Sequence, residues 1–271
     1  MPGSSDVQLL TDAARAAGDI ALRYWRKSPE TWEKDAGAGP VSEADLAVDR
    51  MLMAELRAAR PDYGWLSEET PDAPERLSAE RVFIIDPIDG TRAFIDGTPD
   101  FAHSLAVADR GRVIAAVVFL PAQKRLYSAS IQGVATLNGT EIHASAKTDP
   151  LDATLLTARP NLAPEHWHED RPPPFRRMFR SSLAWRMCLV AEGGFDAMLT
   201  LRPTWEWDVA AGTLIAERAG AAVTDRRGGE PRFNSPSARL DGVIAAPPAL
   251  HAPLLSGLRP TPRLEPPAPL P

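Results

Sequence analysis

The sequence has too few cysteines and too few long apolar runs for several classes of protein. Its single cysteine, Cys188, has no second cysteine with which to form an internal disulfide. No apolar run approaches the roughly 20 residues of a membrane-spanning helix, and the longest, VIAAVVFL at 113–120, has the length and β-branched residues of a strand. The start, MPGSSDVQLL, lacks the basic and apolar regions of a secretory signal. We therefore expect a cytoplasmic protein with no membrane partner.

An excess of positive charge is also missing. The chain has 36 acidic and 30 basic residues, which gives a formal net charge of -6. Because such a surface repels an extended phosphate backbone, we expect no nucleic-acid polymer as a partner. The GxSxG elbow, the Walker loop and the GxGxxG fingerprint are absent too, which removes the commonest signatures of serine hydrolases and nucleotide cofactors.

The chain does contain enough apolar residues for a large core, since 44% of its 271 residues are hydrophobic. Helical and alternating periods succeed one another and predict a layered α/β (α+β) fold. The proline-rich segment 159–175, with the solvated His166 and His168, and the tail from 259 onward are predicted to be surface loop or disorder. We predict helices at 6–27, 42–60, 182–192 and 206–219, and strands at 63–67, 81–85, 102–108, 112–119, 124–130, 133–137, 196–201 and near 222 and 243.

The most informative stretch is DPIDGT, at 86–91, which directly follows the apolar strand RVFII. That order predicts Asp86 at the carboxyl end of a strand, where α/β folds bind ligands. The proline and the glycine allow Asp89 to turn back beside Asp86, with the Ile88 carbonyl aimed the same way. Two converging carboxylates repel each other, and a divalent cation is the simplest way to offset that repulsion. Taken alone, the same residues fit an Asx-type turn equally well.

Further polar residues follow apolar sequence elsewhere in the chain. Thr91 begins the helical segment TRAFID, whose free N–H groups suit a phosphate oxygen. Glu68 or Glu69 follows the strand YGWL, and Asp208 lies in the first turn of an apolar helix. Each acid alone also fits an exposed loop or a helix cap, but metal binding explains all of them together. Because the donors are oxygens and the histidines lack paired ligand spacing, we expect Mg2+, with Mn2+ as a substitute, rather than zinc or copper.

Four motifs together resemble the inositol monophosphatase superfamily, a group of lithium-sensitive magnesium phosphatases. They are GPVSEAD at 39–45, LSEE at 66–69, DPIDGT at 86–91 and WDVAAG at 207–212, and the likeness extends over nearly all of residues 6–250. The resemblance implies a five-layer α-β-α-β-α sandwich that is often dimeric, so a homodimer is one expected assembly. We divide the chain into an N-terminal half with the DPIDGT loop, a C-terminal half with the WD aspartate and the specificity elements, and a disordered proline-rich tail, at 1–140, 141–258 and 259–271.

The resemblance also implies a role for each site residue. One metal ion would be surrounded by Glu68, Asp86, the Ile88 carbonyl and Thr91, and a second by Asp86, Asp89 and Asp208, within a centre of two or three ions. Glu68 and Thr91, the latter supported by Asp45, would position and deprotonate a water for in-line attack on phosphorus. Substrate contacts would come from Gly90, Thr91, Ser182, Arg186 and Asp208.

Two features bear on which small phosphorylated molecule is the substrate. In inositol-selective members, an acidic residue about seven positions before the WD aspartate reads the sugar hydroxyls, whereas here Leu201 stands at that place. LSEE, the serines before CLVAEG and the PT before WD are similar to the bacterial 3'(2'),5'-bisphosphate nucleotidases, which remove a phosphate from 3'-phosphoadenosine 5'-phosphate. On this interpretation Arg186 and Arg202 would lie near the second phosphate, although a solvated arginine fits each position as well.

Other interpretations stay open at this point. An inositol-1-monophosphatase or another sugar or polyol phosphatase has the same metal motifs, and FIDGTP after DPIDGTRA is reminiscent of histidinol-phosphate phosphatases. Ser42 in place of the family's usual threonine, and WRM before CLVAEG, depart from the pattern without touching the metal set. From a different class, the chain could be a silent metal- or nucleotide-binding regulator, but the retained Glu68 and Thr91 argue against this.

Overall fold

The computed structural model describes residues 4–34 and 39–260. The predicted helices are confirmed within a few residues at each end, and the strands of the first half are confirmed in type and order. Six short elements were not predicted, because each is short or interrupted by proline; they are β1, β2, β9, β10, β11 and α6 below. In chain order the helices and strands are α1 (Ser4–Tyr24), β1 (Thr31–Glu33), β2 (Pro40–Ser42), α2 (Glu43–Ala59), β3 (Gly64–Ser67), β4 (Arg81–Asp89), α3 (Thr91–Ile95), β5 (Ala102–Asp109), β6 (Arg112–Leu120), β7 (Arg125–Ser130), β8 (Thr136–Leu137), β9 (Thr140–Glu141), β10 (Thr154–Thr157), β11 (Arg176–Met178), α4 (Leu183–Ala191), β12 (Ala197–Trp205), α5 (Glu206–Arg218), β13 (Ala222–Thr224), β14 (Arg239–Ala246) and α6 (Pro248–Ser256).

Two large sheets carry the fold. The first has seven strands in the order β3-β4-β5-β6-β7-β8-β9, and all its pairs are antiparallel except β3–β4. The second has five strands in the order β11-β10-β12-β14-β13, with β10 parallel to both its neighbours. Strands β1 and β2 form a separate antiparallel pair. No helix in the described part of the chain has the length and apolar character that crossing a membrane requires.

The buried side chains arrange these elements in five layers. Along β4, Phe83 and Ile85 pack against α1 and α2, whereas Val82 and Ile84 face the cluster that contains α4 and α5. The other face of the second sheet packs against α6 and the proline-rich segment. The order is thus helices, sheet, helices, sheet, helix, which confirms the predicted α-β-α-β-α sandwich and places α5 between the two sheets.

The central helices α4 and α5 pack very closely. Gly212 of α5 lies against Met187 of α4, and a Cβ at position 212 would come within 2.7 Å of the methionine Cβ. Since real Cβ atoms do not approach so closely, only glycine fits at this crossing. The spacing between the two helices therefore depends on one missing methyl group.

The proline-rich segment differs from its prediction as surface loop or disorder. It forms short 3-10 helices, and Trp167 within it is fully buried against the outer face of the second sheet. The Trp167 Nε1 donates a hydrogen bond to the Asn161 carbonyl at 3.0 Å. One large aromatic anchor thus orders a segment that its composition alone predicts to be irregular. His168 is exposed and His166 partly so, and of the predicted tail, residues 261–271 lie outside the described residues.

Two strands are longer than predicted, and each contains an irregularity. Strand β4 continues through the DPID residues, because pairing with β5 resumes at Asp89 after a register shift that begins at Asp86. Pro87 has no N–H to donate, so the ladder bulges there instead of ending. Asp86 therefore lies within a bulged strand and not at its last residue. Strand β12 likewise continues to Trp205 through a shift between Thr200 and Pro203.

Candidate metal centre

Three aspartates from two layers come together at one end of the first sheet. Asp86 and Asp89 lie on the bulged end of β4, and Asp208 lies in the first turn of α5. Each offers a carboxylate oxygen, and the three oxygens lie within 4.8 Å of one another. Asp86 and Asp89 are buried and Asp208 is half-buried. The structure thus gathers the three aspartates that the sequence analysis assigned to a second metal ion.

Protein cations and donors compensate this group of carboxylates only in part. The Asp86 Oδ1 is buried and has no hydrogen-bond partner among the described residues. Burial, and then the charges of Glu68, Asp89 and Asp208, raise the pKa of Asp86 well above its ordinary value. Burial and the charge of Asp89 do the same to the pKa of Asp208. An oxygen-only group with an unpartnered, repelled carboxylate fits a hard divalent cation such as Mg2+.

Asp89 is the best supported of the three aspartates. Its Oδ2 accepts hydrogen bonds from the Ser182 hydroxyl and the Ala184 N–H, both at 2.6 Å. Burial raises the pKa of Asp89 to about 6 although these donors lower it. Ser182 is fully buried, and its Oγ also caps α4 by accepting from the Trp185 N–H. Ser182 therefore holds Asp89 in place, and its direct contact with substrate stays a prediction.

Thr91 joins the DPIDGT loop to helix α2. Its hydroxyl lies 3.2 Å from the Asp45 Oδ1 and 3.0 Å from the Ile88 carbonyl oxygen. Asp45 is fixed in turn by a capping box, in which its Oδ2 accepts from the Ser42 N–H. Burial raises the pKa of Asp45 to about 6. The predicted pairing of Thr91 with Asp45 is thus present, while the Ile88 carbonyl as a metal ligand stays a prediction.

Gly90 allows the chain to turn from β4 into α3. Its φ of 98° lies in the left-handed region, and a Cβ there would come within 2.8 Å of the Asp100 carbonyl oxygen. On the other side of the turn, the His103 Nδ1 lies 2.5 Å from the Pro87 carbonyl oxygen. Burial lowers the pKa of His103 to about 4, so the ring is neutral at pH 7 and Nδ1–H donates. Sequence reasoning gave no role to this histidine, whose hydrogen bond to the Pro87 carbonyl holds the bulge of β4 in place.

Glu68 lies outside the three-aspartate group but acts on it. Its charge raises the pKa of Asp86, Asp208 and Asp45. The Lys34 ammonium contacts it at 2.7 Å and contacts Glu69 at 2.6 Å. Burial and the neighbouring Glu68 raise the pKa of Glu69 to about 7. Sequence reasoning missed Lys34, because a lone lysine 34 residues earlier in the chain carries no local signal of this contact.

Two arginines act on the aspartates through their charges. Arg186 is 7% exposed, donates from Nε to the Arg180 carbonyl at 2.6 Å and lies over the Phe179 ring at 4.4 Å. Burial lowers its pKa to about 10, and the charges of Asp89 and Arg202 also act on it. Arg202 is exposed, and its charge acts on Asp208 as well. Leu201, in contrast, packs into the cluster on the outer face of the second sheet.

A groove of about 500 Å3 lies elsewhere in the molecule. It is formed by the proline-rich segment and α6, with His168, Arg171 and Ser256 among its lining residues. None of the residues that the sequence analysis assigned to the site lines it. This groove is therefore separate from the candidate metal centre at the end of the first sheet.

A buried, oxygen-only group of carboxylates is typical of enzymes that use divalent cations on phosphate esters. The sequence model of the Inositol monophosphatase family matches residues 4–261. The chain therefore belongs to the inositol monophosphatase family. It is a metal-dependent phosphatase, like the family members it is similar to.

The relatives of this chain include more than one kind of phosphatase. It is 37% identical over 198 residues to an inositol-1-monophosphatase of Rhizobium meliloti, covering 70% of this chain and 73% of that one. It is 33% identical over 220 residues to the 3'(2'),5'-bisphosphate nucleotidase CysQ of Escherichia coli, covering 79% and 88%. Among solved structures, an IMPase of Thermotoga maritima superimposes with a TM-score of 0.80 at 27% identity, over 93% and 96% of the chains. The fold is common to these proteins, and the substrate differs among them.

Proposed function

We propose that this chain hydrolyses the 3'-phosphate of 3'-phosphoadenosine 5'-phosphate. The observation that carries the proposal is the pair of guanidinium groups, Arg186 and Arg202, whose charges act on each other and on Asp208. Two cations next to a phosphate-binding centre suit a substrate that carries a second phosphate. A guanidinium matches phosphate oxygens with paired N–H donors.

The surroundings of Arg186 favour a binding role. Its Nε and Nη2 point to the Arg180 and Ser181 carbonyls, and Phe179 covers one face of the guanidinium. The group is therefore held in one orientation before any ligand arrives, which lowers the entropy lost on binding. Two repelling guanidinium groups gain from an anion between them.

The position that reads sugar hydroxyls in inositol-selective relatives offers no acceptor here. Leu201 is 3% exposed and its side chain contacts the outer core cluster together with Leu199. An apolar side chain buried away from the aspartates cannot accept a hydrogen bond from a polyol. This supports a substrate whose second recognition group is anionic.

The residues of the centre have proposed roles that follow from their contacts. Asp86, Asp89, Asp208, Glu68 and the Ile88 carbonyl would hold two or three Mg2+ ions. When bound, these ions offset the repulsion of the carboxylates and stabilise negative charge on the phosphoryl group. Thr91 and Glu68 would orient the attacking water. The Thr91 hydroxyl would take a proton from that water as it gives its own proton to the Asp45 carboxylate that it contacts. The Gly90–Thr91 turn orients the phosphate.

The test is a comparison of catalytic efficiency with Mg2+ on three esters: the bisphosphonucleoside, inositol 1-phosphate and histidinol phosphate. We expect the highest kcat/KM on the bisphosphonucleoside. Arg202→Gln should lower that value by about 10- to 100-fold, since a hydrogen bond to a charged group contributes roughly 1.5–3 kcal/mol, and should spare monophosphates. The matched control is Arg232→Gln, because Arg232 is also exposed and its ion-pair partner within the described residues is Glu230. A preference for inositol 1-phosphate would overturn the proposal.

The second candidate is an inositol-1-monophosphatase. The name and the 37% identity of the Rhizobium meliloti relative favour it. In this case Arg202→Gln would change the efficiency on inositol 1-phosphate and on the bisphosphonucleoside alike. We also propose inhibition by Li+, a cytoplasmic location and a homodimer, which phosphate-release assays with Li+, cell fractionation and light scattering would test.

A further inference from the structure

Helix α2 carries a second buried aspartate one turn after Asp45. Asp49 is 6% exposed, and its two carboxylate oxygens accept hydrogen bonds from two different hydroxyls. The Ser67 Oγ donates to Oδ1 at 2.5 Å and the Thr70 Oγ1 donates to Oδ2 at 2.7 Å. These hydroxyls lie immediately before and after Glu68 and Glu69. One carboxylate therefore holds both ends of the short loop that carries the two glutamates.

The loop needs such support because its charges repel their surroundings. Glu68 lies close enough to Asp45 and Asp86 for its charge to raise the pKa of each, and it acts on Glu69 as well. Each repulsion favours movement of the loop away from α2 and β4. Lys34 opposes that movement through its ion pairs with Glu68 and Glu69. Within the protein, the Glu68 N–H opposes it by donating to the Ile85 carbonyl at 3.2 Å, and the two hydrogen bonds to Asp49 oppose it as well. Bonds to a charged acceptor such as Asp49 are the stronger kind.

Helix α2 holds both loops through two aspartates, Asp45 and Asp49. Asp45 and Asp49 are four residues apart, so they project from the same face of the helix. Asp45 contacts Thr91 in the DPIDGT loop, and Asp49 contacts the loop of Glu68. One rigid helix thus sets the position of both loops that would meet a metal ion.

We propose that Asp49 is a positioning residue that fixes Glu68 for metal binding. The inference rests on the proposed role of Glu68 as a metal ligand and is independent of which phosphate ester is hydrolysed. Residues that support a metal ligand in this way typically change metal affinity by about 10- to 100-fold when they are removed. Asp49 touches neither the metal nor the substrate, so its effect passes through the loop.

The test is direct metal binding, measured by Mn2+ electron paramagnetic resonance and by calorimetry with Mg2+. We expect Asp49→Asn to weaken binding by about 10- to 100-fold. The matched control is Asp196→Asn, because Asp196 also accepts from a serine and a threonine hydroxyl, Ser145 and Thr154, but at the opposite end of β12 from Asp208. Asp196→Asn should lower Tm and leave metal affinity within about twofold of wild type.

Thr70 keeps the test decisive if Asp49→Asn does not fold. Thr70→Val removes one of the two hydroxyls at constant shape and should weaken Mn2+ binding, whereas Thr70→Ser should restore it. If both Asp49→Asn and Thr70→Val bind Mn2+ like wild type, while Glu68→Gln does not, the positioning role is wrong and Asp49 is only structural. If Glu68→Gln also binds normally, the proposed ligand set itself is wrong.

Discussion

Two acids in the first turn of α5 have opposite surroundings. Glu206 is fully buried, and its carboxylate accepts from the Asn234 and Ser235 N–H groups at 2.5 and 2.9 Å. The guanidinium of Arg76, which bonds Asn234, adds a positive charge nearby. Asp208, two residues later, has no hydrogen bond from any described residue to its carboxylate. The charges of Asp89 and Glu68 raise its pKa more than those of Arg202 and Lys34 lower it. The protein thus supplies hydrogen-bond donors to the Glu206 carboxylate, whereas the Asp208 carboxylate is free to bind a ligand.

The presence or absence of donors and cations around a carboxylate separates structural from functional acids more clearly than burial does. Burial raises the pKa of both carboxyls, but donors and Arg76 limit the shift of Glu206, whereas like charges add to the shift of Asp208. An uncompensated buried charge destabilises the fold, so its retention indicates a function. Substituting one acid at a time tests whether Glu206 and Asp208 differ in this way.

The largest expected effect is on catalysis at Asp208. Asp208→Asn should lower kcat/KM by more than about 100-fold, beyond the loss typical of residues that only support a ligand. Because the change removes an uncompensated charge, Tm without metal should rise by about 2–4 °C per kcal/mol regained. Steady-state kinetics and calorimetric melting measure the two effects. An inactive variant with a lowered Tm would mean that Asp208 is a structural acid after all.

The next effect is on stability at Glu206. Glu206→Gln should lower the free energy of unfolding by about 1–3 kcal/mol, because at least one buried N–H loses its acceptor. Chemical denaturation measures the loss. The folded variant should bind Mn2+ as wild type does, which contrasts it with Asp208→Asn. Weakened Mn2+ binding in the folded variant would remove the distinction between the two acids.

The smallest effect is a dependence of stability on pH. Burial raises the folded-state pKa of Glu69 to about 7 and of Asp45 and Asp89 to about 6, while unfolded carboxyls titrate near about 4. At these three carboxyls the folded state therefore binds more protons than the unfolded state across this range, and together they outweigh the opposite effect of His103, whose pKa is lowered to about 4. The stabilisation is complete below about pH 4 and is lost as pH rises through 6 to 7.

Metal-free protein should accordingly melt at a higher temperature at pH 5.5 than at pH 7.5. Saturating Mg2+ should reduce the difference, because a cation favours the ionised carboxylates. Melting curves at both pH values, with and without Mg2+, measure this. A Tm that rises from pH 5.5 to 7.5 without metal would show that the acids are compensated in a way the contacts do not account for.

Much of this arrangement could be predicted from local sequence. Residues close together in the chain determine the capping box of Ser42 and Asp45 and the apolar character of α5. The DPIDGT residues likewise predict a turn that carries two acids. The contacts of Lys34 with Glu68 and of Asp89 with Ser182 join residues 34 and 93 positions apart. Such pairs depend on how layers pack, which a single sequence does not specify. The same applies to Trp167, whose burial overrides a proline-rich composition.

The close crossing of α4 and α5 has a consequence for the aspartates. Asp89 is bonded to the first residues of α4, and Asp208 belongs to the first turn of α5. The gap between two of the three carboxylates is therefore set by how near the two helices approach each other. Gly212, buried one turn after Asp208, thereby fixes the separation of these two carboxylates through its contact with Met187.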